Sequence, residues 1–327
     1  MSAKRWTRRP EDSTWGDYGA DDQLGRMNEL TPLKVKQGIA EVKEGLTFCL
    51  SMPLDYPGGS ILNPRRHPPQ IRPTLRNDKP NFIYQTAWDM PGMTDVINDD
   101  MVLLHLQYST QWDTLAHVGA LFDADGDGKP EPRFYNGYQG GVHIVGPTDA
   151  KDAGALPGTF VESKGTSSAN ALGVENMAVK CLMRIMAADG IKVEAGDFVL
   201  LRTGFDDVIL EMKKKPDAHV LENICTGLDG SDQRLLRWVT ESKLVALISD
   251  NYAVEIHNAP LKPGQCAMLP LHQHCLFKTG VNLGEIWRLS ELADWLRKNN
   301  RSRFLLTAPP LRLPGAVGSP ATPVATV

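Results

Sequence analysis

The sequence predicts a strand-rich globular chain in which short strands alternate with helices. Three observations predict it. Glycine and proline are abundant, 29 and 23 in 327 residues, and these residues punctuate turns. Short apolar runs at 198–202, 244–248, 281–286 and 304–307 have the length of buried strands. Between them lie segments with helical spacing and helix caps, at 206–213, from Ser231 through Val239, and from Ser290 through Leu296.

Composition narrows the class. Apolar residues make up 42% and charged residues 23%, the balance of a globular protein with a sizeable core. Net charge is −4 with no long basic run, so nucleic acid is not an expected partner. No apolar stretch approaches the roughly 18 residues of a membrane span. The N-terminus is polar and basic without an apolar stretch behind it, so no secretory signal is expected and a cytoplasmic location follows. Cys49, Cys181, Cys225, Cys266 and Cys275 are odd in number and show no CxxC spacing, which suits reduced thiols. Without repeats or a low-complexity linker, a single domain spanning 1–327 is expected.

In chain order, the aromatic-bearing stretch 15–25 reads as an ordered loop. A helix follows: Thr31 is its N-cap, Pro32 stands at the first helical position, Val35, Ile39 and Val42 recur at helical spacing, and Gly45 stops it. A short strand is expected at 48–52. Residues at about 53–100 are Pro/Gly-rich and aperiodic, as a functional loop or an arm would be. Asp123-Ala124-Asp125-Gly126-Asp127-Gly128 imitates the start of an EF-hand loop. Its twelfth position is Phe134 rather than the bidentate Glu, so a solvated turn is expected there. A strand carrying His143 is expected at 142–145, loop at 147–172 and helix at 176–188. The turn 194–197 feeds the strand at 198–202.

The chemistry concentrates at 103–117. An apolar run, 101–106, ends in Gln107, Thr110, Gln111, Asp113 and His117. Gln111 and Asp113 are two apart, so on an extended segment they share a face. A carboxylate, a carboxamide and an imidazole converging at a strand end can serve a metal site or an acid/base site. His105 reads as structural. Further on, His272 and Glu285 each stand in apolar surroundings, where an unpaired polar group costs several kcal/mol. A metal, a proton partner, or for Glu285 a salt bridge to Arg288 would satisfy them.

These blocks together resemble the cyclase or kynurenine-formamidase-like superfamily of metal-dependent amide and lactone hydrolases. The opening 15–32 resembles that family's first loop and helix. The signature His-x-Gly-Thr-His-x-Asp-x-x-x-His falls on residues 107–117. The segment 196–204 resembles the strand after its "GD" turn, Leu271-His272-Gln273 with Gly280 and Glu285 its second metal block, and Gly318-Ser319-Pro320 its C-terminal loop. Two departures stand out. Gln107 and Gln111 replace the two leading histidines, with Ser-Thr-Gln-Trp-Asp marking a subgroup. Near 176–190 the family's Gly-Arg-Gly strand is replaced by a run straight into helix.

The resemblance implies an α/β fold with a mixed, barrel-like central β-sheet flanked by helices, and a homodimer or homotetramer with exchanged arms. It implies one divalent metal, zinc or manganese, on Asp113, His272 and Glu285, with Gln107 and Gln111 at the positions of the missing histidines. It implies His117 as general acid/base, with Asp113 and Thr110 in the catalytic group and Trp112 in the substrate wall. The expected activity is hydrolysis of a small cyclic amide, imide or lactone, or of an N-acyl aromatic. The competing expectations are a small-molecule-binding protein without catalysis and a metal-free hydrolase using an Asp113–His117 pair. The substrate is a small molecule in either enzymatic reading.

Overall fold

The computed structural model describes residues 5–146, 174–175, 179–224, 227–256 and 266–327. A mixed six-stranded sheet organises them, in the order Val174–Glu175, Phe198–Leu201, Ala246–Ser249, Asn282–Glu285, Gln111–Asp113, Gly318–Pro320. The first four strands run parallel, and the last two pairings are antiparallel. The parallel strands are apolar almost throughout because both of their faces are covered. The fold is therefore mixed α/β, as expected.

Strand alternation sends side chains to two different cores. Val199, Leu201, Leu247 and Leu283 meet Leu235 and Val239 of the helix Gln233–Ser242, together with Leu271, Cys275 and Leu276. Phe198, Leu200, Ala246, Ile248 and Trp112 face the other way. They meet Leu292 and Leu296 of the helix Ser290–Lys298, and Leu306 and Ala325. The last two belong to a three-stranded antiparallel sheet in the order Thr47–Cys49, Val324–Thr326, Leu305–Thr307.

Local chemistry explains the helix ends. Thr31 accepts a hydrogen bond from the Lys34 N–H at 3.2 Å and Pro32 opens the helix, as expected, but the helix spans Pro32–Ala40 and ends short of Val42 and Gly45. Ser290 does not cap its helix from the outside, because it is already the first helical residue. Buried Asp206 does so, accepting the N–H groups of Leu289 and Ser290 at 2.8 Å each and the Ser290 hydroxyl at 2.8 Å. Asp232, not Ser231, caps Gln233–Ser242.

Other expectations change. The apolar run at 101–106 is no core strand. Its strand, Asp100–Leu103, pairs with Gln70–Pro73 in a two-stranded ladder outside the central sheet. Two more small ladders, Leu75–Arg76 with Lys79–Pro80 and Tyr84–Gln85 with Val96–Ile97, complete an arm whose Ile71, Leu75 and Ile83 are exposed. The 142–145 stretch forms a turn with one isolated bridge, Gly140 to Ile144. The expected loop at 147–172 lies outside the described residues. So do residues 176–178 of the expected helix, which is observed as Val179–Ala188. No helix among the described residues is long and apolar enough to cross a membrane.

Trp112 is the clearest relocation. It is 3% exposed, stacks edge-on against Trp287 at 5.0 Å, and donates its indole N–H to the Ala308 carbonyl at 2.9 Å. Its neighbours Gln111 and Asp113 point to the opposite face, so it cannot line the same pocket. We expect Trp112→Ala to destabilise the protein by about 3–5 kcal/mol in denaturant titrations. A loss below about 1 kcal/mol would be the mark of a surface or pocket residue.

Candidate metal centre

The Gln111–Asp113 strand is bracketed on both sides. Glu285 pairs opposite Gln111 and Leu283 opposite Asp113, and on the other edge Pro320 and Gly318 pair opposite the same two residues. Directly opposed residues in a sheet share a face. Gln111, Asp113 and Glu285 therefore project together, and the Gln111 carboxamide donates to Glu285 Oε2 at 3.0 Å. His272 arrives from a different element, the turn Pro270–His272, which leads into the π-helical segment Gln273–Thr279. Its Nε2 lies 3.1 Å from Glu285 Oε1 and 3.8 Å from Asp113 Oδ2. One ligand atom from each of Asp113, His272 and Glu285 falls within 4.8 Å of the others, and all three residues are buried.

Glu255 holds the imidazole. Its carboxylate accepts the N–H groups of Leu271 at 3.0 Å and His272 at 2.8 Å, and His272 Nδ1 at 2.6 Å. This orients the ring with Nε2 toward the cluster, the role carboxylates commonly take behind metal-binding histidines. Gly230 makes the approach possible, since a Cβ there would stand 2.3 Å from Glu255 Oε2. Glu255 was not among the residues expected from the sequence. Its signal was the same as that of Glu285, one acidic residue between the apolar Val254 and Ile256.

Gln107 joins the cluster from a different direction than expected. Its amide nitrogen lies 2.8 Å from Asp113 Oδ1 and 2.8 Å from His117 Nδ1. Both amide hydrogens are thus used as donors, so the side chain organises Asp113 and His117 and turns its nitrogen to the Asp113 carboxylate. Gly318 packs against it, and a Cβ at 318 would meet Gln107 Cδ at 2.5 Å. His117 Nε2 is 3.7 Å from Asp113 Oδ1, beyond hydrogen-bond range. Thr110 is fully buried and committed to the backbone. Its hydroxyl donates to the Ile286 carbonyl at 2.6 Å and accepts the Met52 N–H at 2.9 Å. His105 Nδ1 contacts the backbone of His67. Arg288 pairs with Glu291, so it does not neutralise Glu285.

Two acceptor atoms at this site are buried and have no hydrogen-bond partner among the described residues, Asp113 Oδ2 and Gln111 Oε1. Orphaned buried acceptors are rare in folded proteins. Two hard oxygen atoms, beside a second carboxylate and an oriented imidazole nitrogen, fit a divalent cation such as zinc or manganese. The electrostatics agree. Burial and the adjacent Asp113 carboxylate raise the Glu285 carboxyl above the usual range. Burial opposes charging of His272, but its bonds to Glu255 and Glu285 prevail and push it up to about 10. Burial lowers His117, against the pull of Asp113. The Asp123, Asp125 and Asp127 side chains also converge. There Asp123 is occupied by the Gly126 and Gly128 N–H groups and by Arg8, as in a solvated turn.

The raised pKa values have a definite consequence. At neutral pH the ion-free imidazole carries a proton that a cation must displace from Nε2. We expect binding of zinc or manganese to release protons and to tighten with pH, by about tenfold per unit for one proton released. Affinities measured at pH 6, 7 and 8 in non-chelating buffers check this, and a flat profile would contradict it.

Comparison with known proteins identifies the family and the fold. The cyclase family model matches residues 49–256. No curated protein sequence matches the chain significantly. A solved structure described as a novel cyclase is 28% identical, covers 96% of this chain and 97% of its own length, and superposes with a TM-score of 0.70. An isatin hydrolase bound to the product analogue thioisatinate is 15% identical with a TM-score of 0.52, covering 92% of this chain and 98% of that one. Isatin hydrolase A from Ralstonia solanacearum is 16% identical with a TM-score of 0.52, covering 90% and 97%. The family match contains Gln107, Gln111, Asp113, His117 and Glu255, and the chain belongs to the cyclase family.

Proposed function

We propose that the protein is a metal-dependent hydrolase of a small cyclic amide, imide or lactone, or of an N-acyl aromatic. The observation that carries this reading is the convergence of Asp113, His272 and Glu285, with Asp113 Oδ2 and Gln111 Oε1 left as buried orphans. Membership of the cyclase family supports it, and the shared fold with enzymes that act on isatin, a cyclic amide, is consistent with it.

In this reading Asp113, His272 and Glu285 hold one zinc or manganese ion, with Gln111 Oε1 assisting. The ion supplies Lewis-acid polarisation of the carbonyl and acidification of water. The remaining work belongs to the chain. Glu255 keeps His272 aimed through Nδ1. Buried His117 is held neutral and exchanges a proton at Nε2 between the attacking water and the leaving group. That exchange needs the other ring proton on Nδ1, and so needs the Gln107 carboxamide turned to present Oε1 there. The turn breaks the Gln107 bond to Asp113 Oδ1. Thr110 holds the strand against Met52 and Ile286 and acts through position alone.

The metal-free alternative, an Asp113–His117 pair, is disfavoured by the 3.7 Å gap and by the Gln107 amide lying against both residues. We further propose that the exposed apolar arm around Ile71 and Ile83 packs on a second copy of the chain, because an uncovered patch of that kind marks an interface. Light scattering of Ile71→Asp should then show a lower mass than wild type.

Elemental analysis of the purified protein should find about one equivalent of zinc or manganese, lost in His272→Ala. Hydrolysis of lactone and cyclic-amide panels should vanish with it. No metal in either form, after incubation with both ions, would overturn the reading. Metal retained by a protein that binds ligand without turnover would favour a binding role.

A further inference from the structure

A shallow cleft open to solvent shares a wall with the acidic cluster. That wall is Gln107, which lines the cleft and also contacts Asp113 and His117. The other walls are mostly apolar or aromatic, among them Pro57, Ile61, Leu62, Tyr108 and Tyr252. Among the described residues that line it, Arg66 is the one cation.

Arg66 is half-buried and held in place by one bond, from Nη1 to the Gln107 carbonyl at 2.7 Å. It forms no ion pair with any described carboxylate, although most arginines of the fold do, such as Arg133 with Asp125 and Arg202 with Asp207. Its charge nevertheless reaches the site: it adds to the lowering of His117 by burial and works against the burial-driven rise of Tyr252 and Glu285. Other polar groups around the cleft are engaged. The Tyr108 hydroxyl accepts the Gly58 N–H at 3.0 Å and donates to the Gly59 carbonyl at 2.9 Å. Asn63 donates to the Tyr252 hydroxyl at 3.2 Å and accepts the Arg65 N–H at 3.1 Å. Among the charged groups of this lining, unspent donors belong to the Arg66 guanidinium.

A guanidinium with unspent donors matches a planar anion, which it can grip through two parallel hydrogen bonds. One cation beside the acidic Asp113 and Glu285 suits a monoanion better than a phosphate dianion. The apolar side of the cleft suits a ring or a short hydrocarbon lying along it. We propose that the substrate carries a carboxylate remote from the bond that is cleaved, and that Arg66 binds this carboxylate while the apolar body lies against Ile61, Leu62 and Tyr252. The proposal rests on the hydrolase reading for the word substrate, and it narrows that reading to apolar acids bearing an amide or lactone. A neutral substrate would leave the guanidinium desolvated with nothing opposite it.

Benzoate and benzamide, of equal shape and different charge, test this by ligand-observed NMR titration. The protein is used both metal-loaded and chelator-treated, with metal content measured in parallel. Benzoate should bind both forms, and benzamide should bind about tenfold or more weakly. Arg66→Gln should lose about tenfold or more of benzoate affinity with metal content unchanged, and Arg66→Lys should retain part of it because charge survives and the fork does not. Equal benzoate affinity in wild type and Arg66→Gln would overturn the proposal. So would benzoate binding confined to the metal-loaded form, since the anion would then sit on the metal. The chelator-treated arm decides the role of Arg66 even if no metal ever binds, which separates failure here from failure of the hydrolase reading. Should Arg66→Gln not fold, Arg66→Lys against wild type, in thermal melts and titrations, carries the same decision.

Discussion

The centre depends on the pairing of a three-residue strand with its two neighbours. Gln111–Asp113 is hydrogen-bonded on one side to Asn282–Glu285 and on the other to Gly318–Pro320. A slip of one residue on either side would exchange faces along the whole strand. Asp113 would turn into the aromatic cluster of Trp287 and Phe198, and Trp112 would turn into the acidic site. A buried carboxylate in the first place and a misplaced indole in the second both cost far more than the pairing itself returns. The two cores thus police the register, and the register places the carboxylates.

Three buried carboxylates surround one buried imidazole, which would be unsustainable as bare charge. Each is handled differently. Glu255 is satisfied by two backbone N–H groups and the His272 ring. Glu285 takes the Gln111 amide and His272 Nε2. Asp113 is satisfied at Oδ1 alone, by Gln107. The two glutamines that stand where the resemblance places histidines act here as neutral donors to carboxylates. An amide nitrogen can do this without adding charge, and its oxygen remains available as a hard ligand. In the proposed reading, glutamine at these positions would change the type of coordination open to the site without emptying it.

Much of this was legible in the sequence, and the reasons for the rest are physical. Asp113, His272 and Glu285 stood out because a polar side chain in an apolar run must be paired. Glu255 carries the same signal, but its partners, two backbone N–H groups and the His272 ring, come together only in the folded chain. Trp112 was readable from strand alternation alone, since Gln111 and Asp113 on one face leave it the other. Thr110 could not be assigned from spacing, because its hydroxyl serves the backbone of Met52 and Ile286, contacts that only the folded chain creates. The apolar run at 101–106 shows the limit of composition, which cannot tell a core strand from an uncovered one. Gly318–Pro320 shows the converse. Glycine, serine and proline have poor strand preference, and that segment is a strand only because Gln111–Asp113 lies beside it.

The place of Gly318–Pro320 in the sheet also sets an order of events. The strand that bears Asp113 is flanked by segments drawn from far along the chain, with Thr114 and Val317 joined across 203 positions. Such distant pairings form slowly, because the loops that separate them must close first. The acidic cluster can therefore take shape only once residues 318–320 have been synthesised and docked. Until then Asp113 is an ordinary carboxylate on an incomplete sheet, and His272 and Glu285 have no common focus. Any cation taken up there would meet a finished cage and not a nascent strand, and its loading would follow the closing of the sheet.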